Sequence, residues 1–190
     1  MAYNIKDVFY LDTSATVAAA TAGGGSAQLD LSAYIDPIAR GRTKGTGLAI
    51  YKVHWHIQDD GTGKPIDDAE EGTLQYGLMA GLGTGDVATG SAFVPGDTSF
   101  SMTNNLLVSS EQFFGPKSMA GNASAVPTML TPGVDPSIEV PYVVVRDNVC
   151  LIYGVGENMT NESTISCRIE CAQITLDQAT LNQLLRTQTV

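Results

Sequence analysis

The alternation of apolar and polar positions is clearest over residues 47–58, GLAIYKVHWHIQ. Every second residue from Ala49 to Ile57 is apolar, and the residues between them become polar toward the end of the stretch. Because side chains alternate between the two faces of a strand, this pattern predicts a half-buried strand. We expect Tyr51, Val53 and Trp55 to anchor the space between two sheets. The other face, which we expect to be largely exposed to water, carries Lys52, His54 and His56.

Shorter patterns of the same kind run along the rest of the chain. They predict strands at residues 8–11, with 13–21 as a continuation or a partner, and at 27–35, 73–79, 92–100, 101–109 and 163–176. Residues 142–156 predict a hairpin or one long bent strand, and residues 115–141 an irregular strand within a proline-rich connection. Residues 23–26 predict a turn or a flexible tip, 59–72 an acidic loop, 110–114 one helical turn, and 176–186 a short helix. The apolar parity of 163–176 switches after residue 171, which predicts a bulge or a buried strand end.

These elements add up to roughly eight strands, one C-terminal helix and no linker that would divide the chain. The charged fraction is only 16%, and small, β-branched and turn-forming residues are common. We therefore predict an all-β fold, a single jelly-roll β-sandwich of two antiparallel sheets, formed by residues 1–190 as one domain.

Charge narrows the function classes. The formal net charge is −10, and no basic stripe is present to neutralise phosphates, so we expect no strong nucleic-acid binding. Arg40, Arg42 and Lys44 form the densest basic stretch, which we interpret as a basic loop, with a phosphate contact as the alternative. No apolar run reaches about 18 residues, and no secretory signal is recognisable. We expect synthesis in a cytosol, or export by an unmarked route such as assembly into a particle.

The three cysteines do not form a disulfide framework. Cys167 and Cys171 lie on one face of a predicted strand about 13 Å apart, too far to bridge each other. Cys150 could reach either one, but buried free thiols are the favoured interpretation.

Two groups of residues could hold a metal. His54 and His56 share a strand face, a geometry that zinc and iron sites use, and simple surface histidines are the favoured alternative. Six acidic residues of one loop could bind Ca²⁺, although the EF-hand spacing is absent and a solvated loop is favoured. They are Asp59, Asp60, Asp67, Asp68, Glu70 and Glu71.

No motif indicates catalysis. Residues 61–64, GTGK, lack the spacing of a phosphate-binding loop, G-x-S-x-G is absent, and a Ser/His/Asp triad would have to use one of the two strand histidines. We assign no catalytic, cofactor-binding or metal-binding residue and expect neither enzyme activity nor a cofactor. Asn122, Asn158 and Asn161 fit the N-glycosylation pattern, which often arises by chance.

Residues 140–176, VPYVVVRDNVCLIYGVGENMTNESTISCRIECAQITL, followed by a short helix, carry a resemblance. This arrangement resembles single jelly-roll capsid proteins of tailless icosahedral viruses, and is most similar to those of membrane-containing viruses of archaea and thermophilic bacteria. The N-terminal half matches only in general character, and no functional residue transfers. A basic arm of the kind that condenses a genome is absent, which departs from many capsid proteins.

The resemblance implies a viral structural protein, a capsid subunit that self-assembles or co-assembles into an icosahedral shell. The implied partners are further copies in a capsomer, a second capsid protein and an internal membrane, and the implied location is the virion, after synthesis in the host cytoplasm. Loops rich in small residues suit symmetric packing. The alternative is a non-catalytic β-sandwich binding module, carbohydrate-binding or adhesin-like, for which an exposed Trp55 would be expected.

Overall fold

A computed structural model describes residues 8–36, 44–66, 70–81, 100–115, 128–130 and 135–188. Nine strands and one helix are formed by these residues. The strands are β1 (Val8–Val17), β2 (Gly23–Asp30), β3 (Lys44–Asp59), β4 (Thr73–Ala80), β5 (Leu107–Phe114), β6 (Thr128–Leu130), β7 (Tyr142–Val144), β8 (Asn148–Glu157) and β9 (Ser163–Asp177). The helix is α1 (Gln178–Thr187).

The strands form two antiparallel sheets. The order in the first sheet is β1-β9-β3-β7, and the order in the second sheet is β2-β8-β4-β5-β6. Apart from β6, the pairing is nested: β1 pairs with β9, β2 with β8, β3 with β7, and β4 with β5. A long antiparallel ribbon wrapped into two facing sheets in this way is a jelly roll, so the predicted fold is confirmed.

Strand β3 is the scaffold of the first sheet, because it pairs with β9 along almost its whole length. Val53 and Ile57 lie in the core between the sheets, and the half-buried Trp55 packs against that core. The prediction for Tyr51 is wrong. The register with β9 shifts between Ile50 and Lys52, which places a bulge at Tyr51.

The bulge reverses the parity of the N-terminal part of β3. Leu48 and Ile50 therefore face the core, whereas Ala49 and Tyr51 form a separate cluster with Ala172. Ile174 packs against this second cluster. β9 itself has no bulge, because it pairs with β1 without a register shift. Its apolar residues change face after residue 171 because Ala172 and Ile174 pack in the second cluster.

Residues 23–26 form the start of β2 and pair with β8, so the predicted turn is wrong. A side chain at Gly25 would place its Cβ 2.5 Å from the Tyr153 hydroxyl oxygen. Glycine at this position therefore accommodates a close cross-strand contact with Tyr153 and does not mark a turn. The strand ends at Asp30, and residues 31–35 form a turn in which the Tyr34 and Ile35 N–H groups donate to the Leu31 carbonyl.

Two further predictions differ from the structure. Residues 110–114 form the second half of β5, paired with β4, and not a helical turn. Residues 142–156 are neither a hairpin nor one long strand, because β7 belongs to the first sheet and β8 to the second. The strand predicted at 101–109 begins only at Leu107, and residues 92–99 lie outside the described residues.

The C-terminal helix is confirmed. Asp177 caps the helix by accepting the Thr180 N–H at 2.7 Å. This hydrogen bond lowers the pKa of the Asp177 carboxyl. Leu181 is fully buried and approaches Gly45 so closely that a Cβ there would lie 2.8 Å from its Cδ2. The helix thereby packs against the start of β3.

Candidate functional site

The outer face of the first sheet, the side turned away from the second sheet, carries an ordered array of polar side chains. The register of β1, β9 and β3 sets them in four rows. Read from β1 to β3, the rows are Tyr10, Glu170 and Lys52; Asp12, Arg168 and His54; Ser14, Ser166 and His56; and Thr16, Thr164 and Gln58. The predicted polar face of β3 is thus one third of a larger polar surface.

This outer face holds an open depression of about 620 Å³. Ser14 and Ser166 are among the residues that line it, and their side chains are shorter than those of the neighbouring row, Asp12, Arg168 and His54. Tyr10 stands at one side, with 60% of the residue exposed. The volume falls in the range of small-molecule sites, although the depression is shallower than most of them.

His54 is paired within this surface. Its Nε2 lies 2.7 Å from Glu170 Oε1, across the strand pair β3–β9. Among the described residues no group of three His, Cys, Asp or Glu side chains could hold a metal ion. His56 has no hydrogen-bond partner there, so the structure brings the two predicted ligands to one face without a third.

In the described part of the acidic loop, the carboxylates of Asp59 and Asp60 accept hydrogen bonds from nearby threonine residues. Asp59 Oδ1 accepts the Thr62 N–H and hydroxyl, both at 2.8 Å, and the Asp60 carboxylate accepts the Thr164 hydroxyl. Residues Asp67 and Asp68 lie outside the described residues, as do Arg40, Arg42 and Asn122. Lys44 is exposed at the start of β3.

Glu70 is the acidic residue whose environment the sequence did not predict. The residue is fully buried, and its Oε1 accepts the N–H groups of Gly72 and Thr160, each at 2.7 Å. Its Oε2 accepts the Asn161 N–H at 3.2 Å. The carboxylate therefore fastens the β8–β9 loop to the segment before β4.

A second polar arrangement crosses the core. Trp55 of the first sheet donates its indole N–H at 3.0 Å to Ser109 of the second sheet, and the Ser109 hydroxyl donates to the Asp135 carboxylate. Beside it, the Tyr76 hydroxyl donates to Glu111 at 3.2 Å, and burial together with the Glu111 charge raises the pKa of Tyr76. These contacts fix the spacing of the two sheets near β5 and leave Trp55 turned inward.

Exposed apolar side chains lie on a different part of the molecule, which we call the side patch: Met102, Ile138 and Val140. They are 59%, 58% and 75% exposed, respectively. They belong to the segments that precede β5 and β7, and the Tyr142 hydroxyl joins these segments by donating to the Asn105 carbonyl at 2.7 Å. Exposed apolar residues grouped in this way are typical of contact surfaces.

All three cysteines are free and buried, which confirms the favoured interpretation. Burial raises the pKa of Cys150 to about 11 and that of Cys171 to about 12. Asn158 is exposed and Asn161 half-buried in the β8–β9 loop. Within the described ranges no helix is both long and apolar enough to cross a membrane.

No family model and no curated protein matches the chain. The similar solved structures include polyomavirus VP1 proteins, and three of these are described below. Merkel cell polyomavirus VP1 in complex with disialyllactose is 7% identical, with 93% of this chain and 98% of that chain covered and a TM-score of 0.37. Trichodysplasia spinulosa-associated polyomavirus VP1 in complex with GM1 oligosaccharide is 8% identical, with coverages of 93% and 96% and a TM-score of 0.40.

The pentamer of human polyomavirus 7 VP1 is 12% identical, with coverages of 93% and 98% and a TM-score of 0.38. Likeness at this level carries no inference about function. The jelly-roll assignment rests on the strand order of the chain itself.

Proposed function

We propose that the protein is a viral capsid subunit, a single jelly-roll domain over residues 1–190 that assembles with further copies into an icosahedral shell. The observation that carries the proposal is the side patch on a complete jelly roll. A jelly-roll fold alone does not define a function. We therefore use the exposed surface to choose between a capsid subunit and a binding module. More than half of each side-patch residue is exposed, and apolar side chains exposed on one side of a protein are suited to packing against a neighbouring subunit.

The position of the side patch suits lateral packing of subunits. It lies in the segments that lead into β5 and into β7, and β7 is one of the two edge strands of the first sheet in the described structure. A contact along one side of the sandwich leaves both sheet faces available. Repeated around a symmetry axis, such a contact generates a closed ring of subunits.

The remaining features of the proposal follow from charge and from the resemblance. The net charge of −10 disfavours direct condensation of a genome, so the inner surface of the shell would meet an internal membrane or a second capsid protein. An internal membrane is also what the resemblance to capsid proteins of membrane-containing viruses implies. The subunit would be made in the host cytoplasm, reside in the virion and catalyse no reaction.

Trp55 bears on the alternative of a binding module. Its indole N–H donates to Ser109, and its ring lies 5.1 Å from that of Tyr76. An aromatic residue held in this way between two sheets is not a surface platform for a ligand. An exposed Trp55 would have favoured the binding module, but Trp55 is half-buried and packs against the core.

The solution test is sedimentation velocity of the purified protein over a range of protein and salt concentrations. We expect oligomers whose population falls in the variants Val140→Asp and Met102→Asp, because a buried carboxylate opposes association. Asn158→Asp introduces the same charge at an exposed loop position and serves as the matched control. If both side-patch variants associate as the wild type does, the side patch is not the contact between subunits and the observation behind the proposal is lost.

A further inference from the structure

The depression on the outer face is lined by polar side chains that make no contacts of their own. The side chains of Tyr10, Asp12, His56 and Arg168 have no hydrogen bond or ion pair within the described part of the protein. Asp12 and Arg168 are direct cross-strand neighbours, yet they form no salt bridge. The lining of one open depression therefore offers both hydrogen-bond acceptors, the Asp12 carboxylate oxygens, and hydrogen-bond donors, the N–H groups of Arg168 and His56.

The shape of the depression favours a ligand about the size of one or two sugar rings. Ser14 and Ser166 line it with short polar side chains, and a volume of about 620 Å³ lies within the range of small-ligand sites. Tyr10 also lines the depression and is exposed. An exposed aromatic ring with a free hydroxyl has an apolar body and a polar tip, which suits a ligand that has both C–H and O–H groups.

The charges of the lining favour a neutral ligand. The charges of Asp12 and Arg168 offset one another, and His54 Nε2 lies 2.7 Å from Glu170 Oε1, which leaves only part of the Glu170 carboxylate open to a cationic ligand. The net charge of −10 of the whole chain repels anions in addition. A metal ion is disfavoured because the described residues provide no set of three ligands.

We propose that this depression binds a neutral saccharide. The Asp12 carboxylate accepts hydrogen bonds from sugar hydroxyls, Arg168 and His56 donate to ring and hydroxyl oxygens, and the Tyr10 ring packs against sugar C–H groups. The site lies apart from the side patch, so saccharide binding does not depend on shell assembly. On an assembled particle it would hold a neutral glycan against the outer face of the first sheet.

The test is saturation-transfer NMR of the purified full chain with glucose, galactose, mannose and N-acetylglucosamine, each alone. Glucuronate and glucosamine serve as the charged counterparts of glucose. We expect at least one neutral sugar to bind, and Asp12→Ala and Arg168→Ala to weaken that binding about tenfold each. Tyr10→Phe keeps the ring and should retain most of the binding, whereas Tyr10→Ala should lose it. Lys52→Ala, on the same face but outside the depression, is the matched control.

Four results would overturn the proposal. One is the absence of saturation transfer from every neutral sugar, and another is binding by glucuronate or glucosamine alone. Equal binding by wild type and by Asp12→Ala and Arg168→Ala would place the sugar elsewhere. Loss of self-association in Asp12→Ala, without sugar binding by the wild type, would assign this face to a contact between copies. Trp55 fluorescence, recorded on each variant, shows that the fold is intact.

Discussion

The buried carboxylate of Glu70 gives the most specific prediction about stability. It is fully buried and accepts three backbone N–H groups, from Gly72, Thr160 and Asn161. The substitution Glu70→Gln keeps the size of the side chain but removes its charge and one of its two acceptors. If the amide oxygen keeps the two bonds at 2.7 Å, the amide NH₂ must face the Asn161 N–H.

The cost can be worked out from these contacts. Leaving a buried N–H without an acceptor costs about 1–3 kcal/mol, and each of the other two bonds loses about 1 kcal/mol when its acceptor becomes neutral. Relief of the desolvation of a buried charge offsets part of this sum. We therefore expect Glu70→Gln to lower the free energy of unfolding by about 2–3 kcal/mol, and Glu70→Ala by about 4 kcal/mol.

The assay is equilibrium unfolding in urea, followed by the fluorescence of the single tryptophan, Trp55. Its half-buried ring should report loss of the core, and an unchanged denaturant slope would show that two-state unfolding holds. Glu157→Gln is the matched control, because Glu157 is exposed and its side chain has no partner in the described structure. A Glu70→Gln variant within about 0.5 kcal/mol of the wild type would refute the assignment of Glu70 as a clamp.

Three further predictions concern an edge strand and the thiols. Gln188 is buried beside β7, where its side chain accepts the Val145 N–H at 3.2 Å and donates to the Val143 carbonyl at 2.6 Å. Gln188→Ala should cost about 2 kcal/mol and speed amide exchange of Val145, and unchanged exchange would contradict this. The buried thiols should not react with a disulfide reagent in the native protein and should all react in urea, whereas rapid native labelling of one thiol would be the contrary result. Because burial raises the folded-state pKa of Cys150 above 9.0, its contribution to stability is present below pH 9 and should be lost as the pH rises toward about 11, which unfolding at several pH values measures.

The sequence predicted those strands whose pattern reflects burial on one face. β9 and the C-terminal part of β3 alternate over many residues, and the structure places both at the centre of the first sheet. The start of β2 could not be predicted, because its glycines indicate a turn unless it is known that Tyr153 lies across from Gly25. The bulge at Tyr51 has no local signal and reverses the face of every residue before it.

The candidate sites depend even more on contacts between distant residues. The sequence placed His54 and His56 on one polar face, but it could not place Asp12 beside Arg168, which lies on the last strand. Trp55 and Ser109 are 54 residues apart, and nothing local marks the serine as the acceptor of the indole N–H. Glu70 was one of six acidic residues in a loop, and only the folded β8–β9 loop shows why it is buried.

Electron microscopy of the purified protein, and of particles isolated from their host, tests the proposed shell role most directly. The proposal predicts regular closed assemblies in which copies of the jelly roll contact one another through the side patch, Met102, Ile138 and Val140. A protein that stays monomeric at every salt concentration, with or without a second capsid protein, and that is absent from isolated particles would contradict it.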